Sequence, residues 1–221
     1  NEAFGYYYDR DSWETKKADG FKINYIKNTA GHLYAASNGF TDEACLITEL
    51  QDDGTLKISK YIGSDTVYVI PDEIDGKKVT SIGSDAFQKR TSLTSITIPD
   101  SVTDIEQYAF EGCTSLSDIT LPDSLTSIGL SAFESCTALT DIALPDSLTY
   151  IGGLAFANCT SLKTVTVPAS VTFIGGWAFG YYFEDGNIDA RVAFDDFTIN
   201  YTKHTAGHLY AIENGFTDEG C

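Results

Sequence analysis

Apolar residues in the middle of the chain recur at a fixed interval of 23 positions. Four consecutive blocks follow one pattern, and a fifth begins at Val171 and stops after Phe179. The four blocks are residues 79–101, 102–124, 125–147 and 148–170. Self-similarity at a fixed period of this length is typical of a solenoid, in which each small unit contacts only its neighbours. The pattern therefore predicts a repeat fold.

Each block predicts two short extended segments. In the second block, Leu116, Ile119 and Leu121 predict a strand with its apolar side chains facing inward, and Pro122 ends it because proline cannot donate to a ladder. Val102 and Ile105 predict a second short strand or turn on the opposite side. The other apolar positions of this block are Ala109, Phe110 and Cys113. One block cannot bury both of its faces alone, so stacking is required for stability.

A different pattern leads into the repeats over residues 46–78. Residues 46–50 and 56–59 flank an Asp-Asp-Gly turn and predict a β-hairpin. Residues 67–71 are similar to the later strand at 95–99. Asp75-Gly76 predicts a turn in a short insertion before Val79. We expect this segment to be a lead-in cap that shares the sheet of the stack.

The two ends of the chain are copies of one another. Residues 3–8 match residues 178–183, and residues 21–45 match residues 197–221 at 19 of 25 positions. The chain is therefore expected to be a piece of a tandem array with a larger period of about 176 residues. The absence of methionine and of a signal peptide agrees with a fragment whose targeting information lies elsewhere.

The duplicated tail predicts a strand followed by a helix. Residues 197–201 alternate in polarity as a strand does. Thr205 is placed to begin a helix that runs to Asn214, and Gly215 is placed to end it. Leu209, Ile212 and Phe216 are expected to cover the open end of the solenoid, as terminal repeats require.

Charge narrows the classes of partner. The chain has 14 Lys and Arg against 32 Asp and Glu, a net charge of -18. Such a surface repels phosphate backbones and anionic lipid, so nucleic-acid and membrane-surface binding are not expected. No run approaches the ~18 apolar residues of a membrane span.

The cysteines predict neither a disulfide framework nor a metal site. Cys113, Cys136 and Cys159 occupy one repeat position and form one column of the stack. We interpret them as buried structural thiols, because a metal site needs convergent ligands that the repeats do not offer. Cys45 and Cys221 are copies of one another with no evident local partner.

The combined pattern at residues 116–136, Leu-x-x-Ile-x-Leu-Pro-x-Ser-Leu-x-x-Ile-Gly-x-x-Ala-Phe-x-x-Cys, resembles the leucine-rich repeats of BspA-type bacterial surface proteins. The lead-in and the strand-helix tail are also similar to flanking modules of that family. The resemblance implies a secreted or surface-displayed, non-enzymatic binding protein, and some members bind host matrix proteins such as fibronectin and fibrinogen. The family has no fixed ligand motif, so no functional residue carries over. Departures are Arg90 in place of Cys, Glu106 in place of Gly, and the interruption after Phe179.

Stacked parallel strands about 4.8 Å apart would place equivalent residues in outward columns. These columns form a small, polar, mildly acidic face that is either a ligand face or a solvated sheet. They contain Thr94, Ser117, Thr140 and Lys163; Ser95, Asp118, Asp141 and Thr164; and Thr97, Thr120, Ala143 and Thr166. All except Thr94, Ala143 and Thr166 are candidate ligand residues.

Two other columns become more apolar toward the C-terminal end. One contains Ser81, Asp104, Ser127, Tyr150 and Phe173, and the other contains Asp85, Tyr108, Ser131, Leu154 and Trp177. Tyr181, Tyr182, Phe183 and Phe194 follow. Tyr150, Phe173, Trp177, Tyr181 and Tyr182 are candidates for an exposed interaction patch. Packing against the adjacent cap is the favoured alternative.

Catalysis and metal binding find little support. Asp185, Asn187 and Asp189 imitate a calcium loop, but the glycine and the final glutamate are missing. His32, His204 and His208 share no motif with a nucleophile or carboxylate. The glycines at one repeat position, such as Gly83, Gly129 and Gly152, are interpreted as turn residues. We therefore expect no enzyme activity and no cofactor.

The sequence predicts a leucine-rich-repeat solenoid, a parallel β-sheet with turns and short helical segments. The expected parts are a preceding module's tail (1–45), a β lead-in cap (46–78), the repeats (79–179) and a strand-helix cap (180–221). The favoured function is secreted or cell-surface adhesion, through the repeat face, to a protein, which could be a host matrix protein, or to another macromolecule. A structural spacer arm and a glycan-binding module are the alternatives. We expect a monomer within a longer chain.

Overall fold

The chain forms a parallel β-solenoid of about five turns in a computed structural model that describes residues 6–9, 14–17, 46–183, 191–194 and 196–216. The predicted fold class is confirmed. Between the short strands the repeats consist of turns, and the described residues contain one helix, α1, at Ala206–Glu213. A repeat of 23 residues has room for one short strand on each face and a turn between them. The helical segments that were predicted in the repeats are therefore turns in the structure.

One face of the solenoid is an eight-stranded sheet in the order β14-β12-β11-β9-β7-β4-β3, with β6 paired to β7. From β9 onward its strands are two residues long, and all the repeat strands from β7 to β14 run parallel in exact 23-residue register. The predicted lead-in hairpin of β3 and β4 closes the N-terminal edge. The strands are β3 Leu46–Leu50, β4 Leu56–Tyr61, β6 Glu73–Ile74, β7 Lys77–Ile82, β9 Asp104–Ile105, β11 Ser127–Ile128, β12 Tyr150–Ile151 and β14 Phe173–Ile174.

The opposite face carries three-residue strands, and here the predicted unbroken columns are wrong at the third repeat. Parallel pairing joins β5, β8 and β10, and separately joins β13 to β17. Residues 141–143 form no strand and no backbone hydrogen bond to either neighbour among the described residues. Asp141 would stand in register beside Asp118, and adjacent like charges weaken a sheet. The strands are β5 Val67–Val69, β8 Ser95–Thr97, β10 Asp118–Thr120, β13 Thr164–Thr166 and β17 Thr198–Asn200.

Two antiparallel pairs lie outside these faces. The first joins β1, Tyr6–Asp9, to β2, Glu14–Lys17. The second joins β15, Tyr181–Phe183, to β16, Arg191–Ala193, and occupies the interruption after Phe179.

A stack of aromatic rings runs through the centre of the solenoid. The phenylalanine of every repeat is fully buried and lies face to face with the next, with ring centroids 5.0 to 5.2 Å apart. A tyrosine closes each end: Tyr61 stacks on the first phenylalanine, and Tyr210 of α1 meets the last one edge-on. The stacked residues are Phe87, Phe110, Phe133, Phe156 and Phe179.

The repeated glycines allow close approach of neighbouring backbones, and the predicted turn role is wrong. A Cβ on Gly129, Gly152 or Gly175 would lie 2.6, 2.5 and 2.3 Å from the backbone of the preceding repeat. The left-handed turn conformation instead falls on residues with side chains two positions later. These are Asp85, Tyr108, Ser131, Leu154 and Trp177, with φ between 52° and 59°.

The two departures from the repeat consensus have structural partners in the lead-in cap. The Arg90 guanidinium donates to the carbonyl oxygen of Tyr61 at 2.6 Å and lies over the Tyr61 ring. Glu106 accepts hydrogen bonds from the backbone and the hydroxyl of Ser84, both at 2.9 Å, and pairs with Lys57 at 3.2 Å. Both exceptions therefore attach the first repeats to the lead-in cap.

The three cysteines of one column are buried free thiols, as predicted. Each Sγ donates to the carbonyl oxygen of the phenylalanine 26 residues earlier, at 3.1 Å for Cys113, 3.3 Å for Cys136 and 3.2 Å for Cys159. Burial raises the pKa of Cys113 and Cys159 to about 12 and raises that of Cys136 well above its usual value. Cys45 and Cys221 lie outside the described residues.

The C-terminal cap packs through a different helix face from the one predicted. Leu209 and Ile212 are 59% and 62% exposed, whereas Gly207, Tyr210 and Ala211 are buried. A Cβ on Gly207 would lie 3.1 Å from that of Val167, so the small side chains let the helix approach the last repeat closely. Only Phe216 of the predicted stripe packs on the core.

The hydroxyl of Tyr210 completes the end of the stack. It accepts a hydrogen bond from the backbone nitrogen of Phe179 at 2.9 Å and donates to the carbonyl oxygen of the same residue at 3.0 Å. Both groups are buried, so this side chain satisfies the last backbone positions that have no further repeat to pair with.

Replacing Tyr210 with phenylalanine should lower the free energy of unfolding by about 1–3 kcal/mol, because both backbone groups of Phe179 would stay buried without a partner. Urea unfolding followed by circular dichroism measures the change. The matched control is Tyr150→Phe, because the Tyr150 hydroxyl is exposed and has no hydrogen-bond partner among the described residues; it should change stability by less than about 0.5 kcal/mol. Equal effects of the two substitutions would contradict the capping role.

The buried thiols should resist an aromatic disulfide reagent at pH 8 in the folded protein, because their raised pKa keeps them protonated and burial excludes the reagent. The measurement uses a variant with Cys45→Ser and Cys221→Ser, so that three thiols remain. All three should react rapidly in concentrated urea. Rapid reaction of any of them under native conditions would contradict the assigned burial.

Candidate functional site

The predicted polar face lies on the three-residue strands and is divided by the break at the third repeat. Its nine candidate residues are exposed except Ser95, which is half-buried. Ser95 Oγ donates to the Asp118 carboxylate at 3.0 Å, and Lys163 pairs with Asp196 at 3.0 Å. Several of its polar groups therefore already have partners within the protein, and the face carries no aromatic side chain.

A cavity of about 330 Å³ opens where the polar face is broken. Asp141 and Asp146 line one side, and Thr164 and Thr166 line the other. Ile142 and Pro168 supply apolar contact. The cavity can accept hydrogen-bond donors, but it offers no group that would anchor a large apolar ligand.

A second candidate lies at the C-terminal end of the eight-stranded sheet, which we call the aromatic patch: Leu130, Tyr150, Phe173 and Trp177. These side chains are 38%, 42%, 50% and 40% exposed. The rings of Tyr150 and Phe173 stack with centroids 5.1 Å apart and planes 7° from parallel. The sequence favoured packing of these aromatic residues against the C-terminal cap, but a large part of each side chain is accessible in the structure.

The other two predicted members of the patch lie elsewhere. Tyr181 is half-buried, contacts the Phe216 ring and bonds to Asn214 through its hydroxyl at 3.2 Å, and burial raises its pKa. Tyr182 is also half-buried and stacks on Phe194 with centroids 5.4 Å apart. These two side chains therefore pack within the cap region, as the alternative interpretation had it.

The strand register explains how the side chains of the patch are arranged. Ser127, Tyr150 and Phe173 are directly paired on adjacent strands, so their side chains project side by side. Between this column and that of Leu154 and Trp177 run two glycines without side chains, Gly153 and Gly176. Gly176 has open space where a Cβ would stand, and a Cβ on Gly153 would lie 3.6 Å from the Leu130 side chain.

Leu130 is the one member that the sequence reading missed. It occupies the repeat position that is Ser84, Gln107, Gly153 and Gly176 in the other repeats. The sequence did contain a signal for it, because a leucine stands at a position where the other repeats have small or polar residues.

Charge is distributed unevenly around the patch. The earlier members of its columns include the carboxylates of Asp85 and Asp104, whereas the later members are apolar. Glu134, which accepts a hydrogen bond from Ser131, has its pKa raised by burial and by the neighbouring Glu111. The patch is thus an uncharged area beside acidic side chains.

The described part of the chain has no metal-binding arrangement. It contains no group of three or more His, Cys, Asp or Glu side chains that could hold a metal ion. The His208 ring stacks on Tyr201 and meets the His204 ring edge-on, and the His204 backbone nitrogen donates to His208 Nδ1 at 3.1 Å. The calcium-loop candidates Asp185, Asn187 and Asp189 lie outside the described residues. In the same described segments, no helix has the length and hydropathy needed to cross a bilayer.

Solved structures similar to this chain are bacterial leucine-rich-repeat proteins. The leucine-rich-repeat protein TpLRR of T. pallidum is 39% identical with a TM-score of 0.62, over 63% of this chain and 65% of that one. A leucine-rich cell surface protein of Faecalibacterium prausnitzii is 32% identical with a TM-score of 0.62, over 75% of this chain and 43% of that one. A leucine-rich-repeat protein of Bacteroides ovatus is 30% identical with a TM-score of 0.55, over 75% and 44%.

This chain covers less than two thirds of the length of each of these proteins. No curated protein matches the chain. The family pattern described as the BspA type leucine rich repeat region matches residues 69–183 in six copies, which is more than half of the chain. The chain therefore belongs to the BspA-type leucine-rich-repeat family.

Proposed function

We propose that this chain is a non-enzymatic recognition module of a secreted or surface-displayed bacterial protein, and that it binds a macromolecule through the aromatic patch. The observation that carries the proposal is that the exposed large aromatic side chains of the described residues, Tyr150, Phe173 and Trp177, all belong to the last repeats at one end of the solenoid. Aromatic residues dominate binding energies because they bury a large area at a small cost in side-chain entropy. The cell-surface relative from Faecalibacterium prausnitzii supports the proposed location.

The polar strand face is the weaker of the two candidate surfaces. Its residues are short, and Ser95, Asp118 and Lys163 already have partners within the protein. When a partner forms a hydrogen bond to a solvated group, it replaces a hydrogen bond that the group already made to water. Such contacts therefore contribute little net affinity. The aromatic patch, by contrast, gains free energy simply by leaving water.

A structural spacer arm is the second candidate, and the ring stack favours it. The stack is continuous from Tyr61 to Phe179, and each end is closed by a tyrosine. Such a core resists bending because displacing one ring disturbs both neighbours. A spacer, however, gives no reason to place three exposed aromatic side chains on one surface.

The repeats themselves supply a substitution set that should leave the fold intact. Tyr150→Ser, Phe173→Asp and Trp177→Asp install the residues found at the same positions as Ser127, Asp104 and Asp85. Asp85 adopts φ 59° and Trp177 adopts φ 55°, so the left-handed backbone is compatible with the change. The matched control, Asp118→Thr with Asp141→Thr, installs the residue of Thr164 on the polar face.

Binding to an immobilised array of purified matrix proteins and glycans should be saturable for the wild-type protein and should weaken at least about tenfold in the triple patch variant. The double variant of the polar face should bind as the wild type does. Circular dichroism checks that all three proteins are folded, and EDTA tests dependence on calcium. Loss in the double variant alone would move the site to the polar face, and no saturable binding at all would favour the spacer.

A further inference from the structure

A one-residue slot lies beside Tyr150 within the aromatic patch. Asp104, Ser127 and Tyr150 stand in register on three adjacent parallel strands, which are about 4.8 Å apart. On one side the Tyr150 ring is covered by Phe173. On the other side its neighbour is the short side chain of Ser127, so that side of the ring has no aromatic neighbour in its column.

The walls of this slot combine an apolar ring with hydroxyl and carboxylate groups. Neither Ser127 Oγ nor the Tyr150 hydroxyl hydrogen-bonds within the described part of the protein. Asp104 uses one carboxylate oxygen to accept from Thr103 Oγ1 at 2.6 Å, which leaves the other oxygen available. Leu130, from the same repeat as Ser127, adds an exposed apolar side chain.

We propose that this slot binds a neutral pyranose unit of a glycan, with the sugar ring stacked on Tyr150 and its hydroxyls bonded to Ser127 and Asp104. The inference rests on the proposed function and names the class of its ligand. A pyranose ring presents C–H groups on its face and hydroxyls at its edge. The C–H groups are attracted to the negative face of an aromatic ring, and the hydroxyls need the donors and acceptors beside it.

Charge selects among glycans. The chain carries a net charge of -18, and Asp104 stands at the slot itself. Sialylated, sulfated and uronate-containing glycans would place a second negative charge close to this carboxylate and be repelled. The ligand is therefore an uncharged sugar, whose hydroxyls can donate to Asp104.

A protein partner is the competing occupant of the slot. It would bind mainly by burying apolar side chains. An apolar anchor from a protein would bury Tyr150, Phe173 and Leu130 and would leave the Asp104 carboxylate desolvated without a donor, which is costly. A sugar satisfies this carboxylate with a hydroxyl. The juxtaposition of one open ring face with unused hydroxyl and carboxylate groups therefore favours the glycan.

The test titrates the folded protein with neutral hexasaccharides of glucose, mannose, galactose and N-acetylglucosamine, by calorimetry and by NMR saturation transfer to the sugar protons. At least one should bind, and its ring C–H protons should receive the strongest transfer. Tyr150→Ser should weaken binding at least about tenfold, whereas Tyr150→Phe should retain it within about threefold because the ring remains.

Ser127→Tyr is the decisive variant, because it fills the slot while increasing the aromatic surface. It should abolish binding of the oligosaccharide, and Ser81→Tyr, the same change in the first repeat, should leave binding unchanged. Unchanged binding in Ser127→Tyr would overturn the proposal.

The result also separates this inference from the function on which it depends. Absence of binding for all four neutral hexasaccharides at about 10 mM, together with a protein partner lost in the triple patch variant, would reject the glycan and keep the recognition module. Absence of both would reject both.

Discussion

The ring stack at the centre of the solenoid is the interaction on which the rest of the structure depends. Each phenylalanine contacts the ring of the repeat before it and the ring of the repeat after it, at centroid distances of 5.0 to 5.2 Å. Those distances are close to the spacing of adjacent β-strands, so ring stacking and backbone pairing favour the same translation per repeat. A buried cysteine thiol bonded to the carbonyl of an earlier phenylalanine holds the same register.

A stack of this kind has two ends, and the chain closes each with a tyrosine. Tyr61 comes from the lead-in hairpin. The Arg90 guanidinium donates to the Tyr61 carbonyl oxygen, and the Tyr61 hydroxyl donates to the Asp65 carboxylate. Tyr210 comes from the C-terminal helix and satisfies the backbone of Phe179. Phenylalanine is sufficient inside the stack because its backbone nitrogen donates to a carbonyl oxygen of the next repeat. At Phe179 that pairing stops, and the Tyr210 hydroxyl supplies the missing hydrogen bonds.

The sequence predicted the features that repetition encodes and missed those that depend on single contacts. The period, the inward-facing positions and the lead-in hairpin follow from apolar spacing, which is the strongest local signal. The repeat register places Asp141 beside Asp118, but it does not reveal that the strand at residues 141–143 is lost. The buried face of α1 depends on how closely Gly207 approaches Val167, which periodicity does not encode. The aromatic columns were predicted as a set, but only the structure separates the exposed Tyr150 from the half-buried Tyr181.

Strict register in the core leaves the outward positions free to change, and this freedom is where a repeat protein can acquire specificity. Between the third and fifth repeats the inward column keeps isoleucine at 128, 151 and 174, while the outward column changes from Ser127 to Tyr150 and Phe173. Such a change costs the fold little, because the side chain at each outward position contacts mainly its two neighbours along the column. An aromatic pair that begins beside a serine creates a ring face with no aromatic neighbour in its column. A column of identical residues, whether all serine or all aromatic, would contain no such edge.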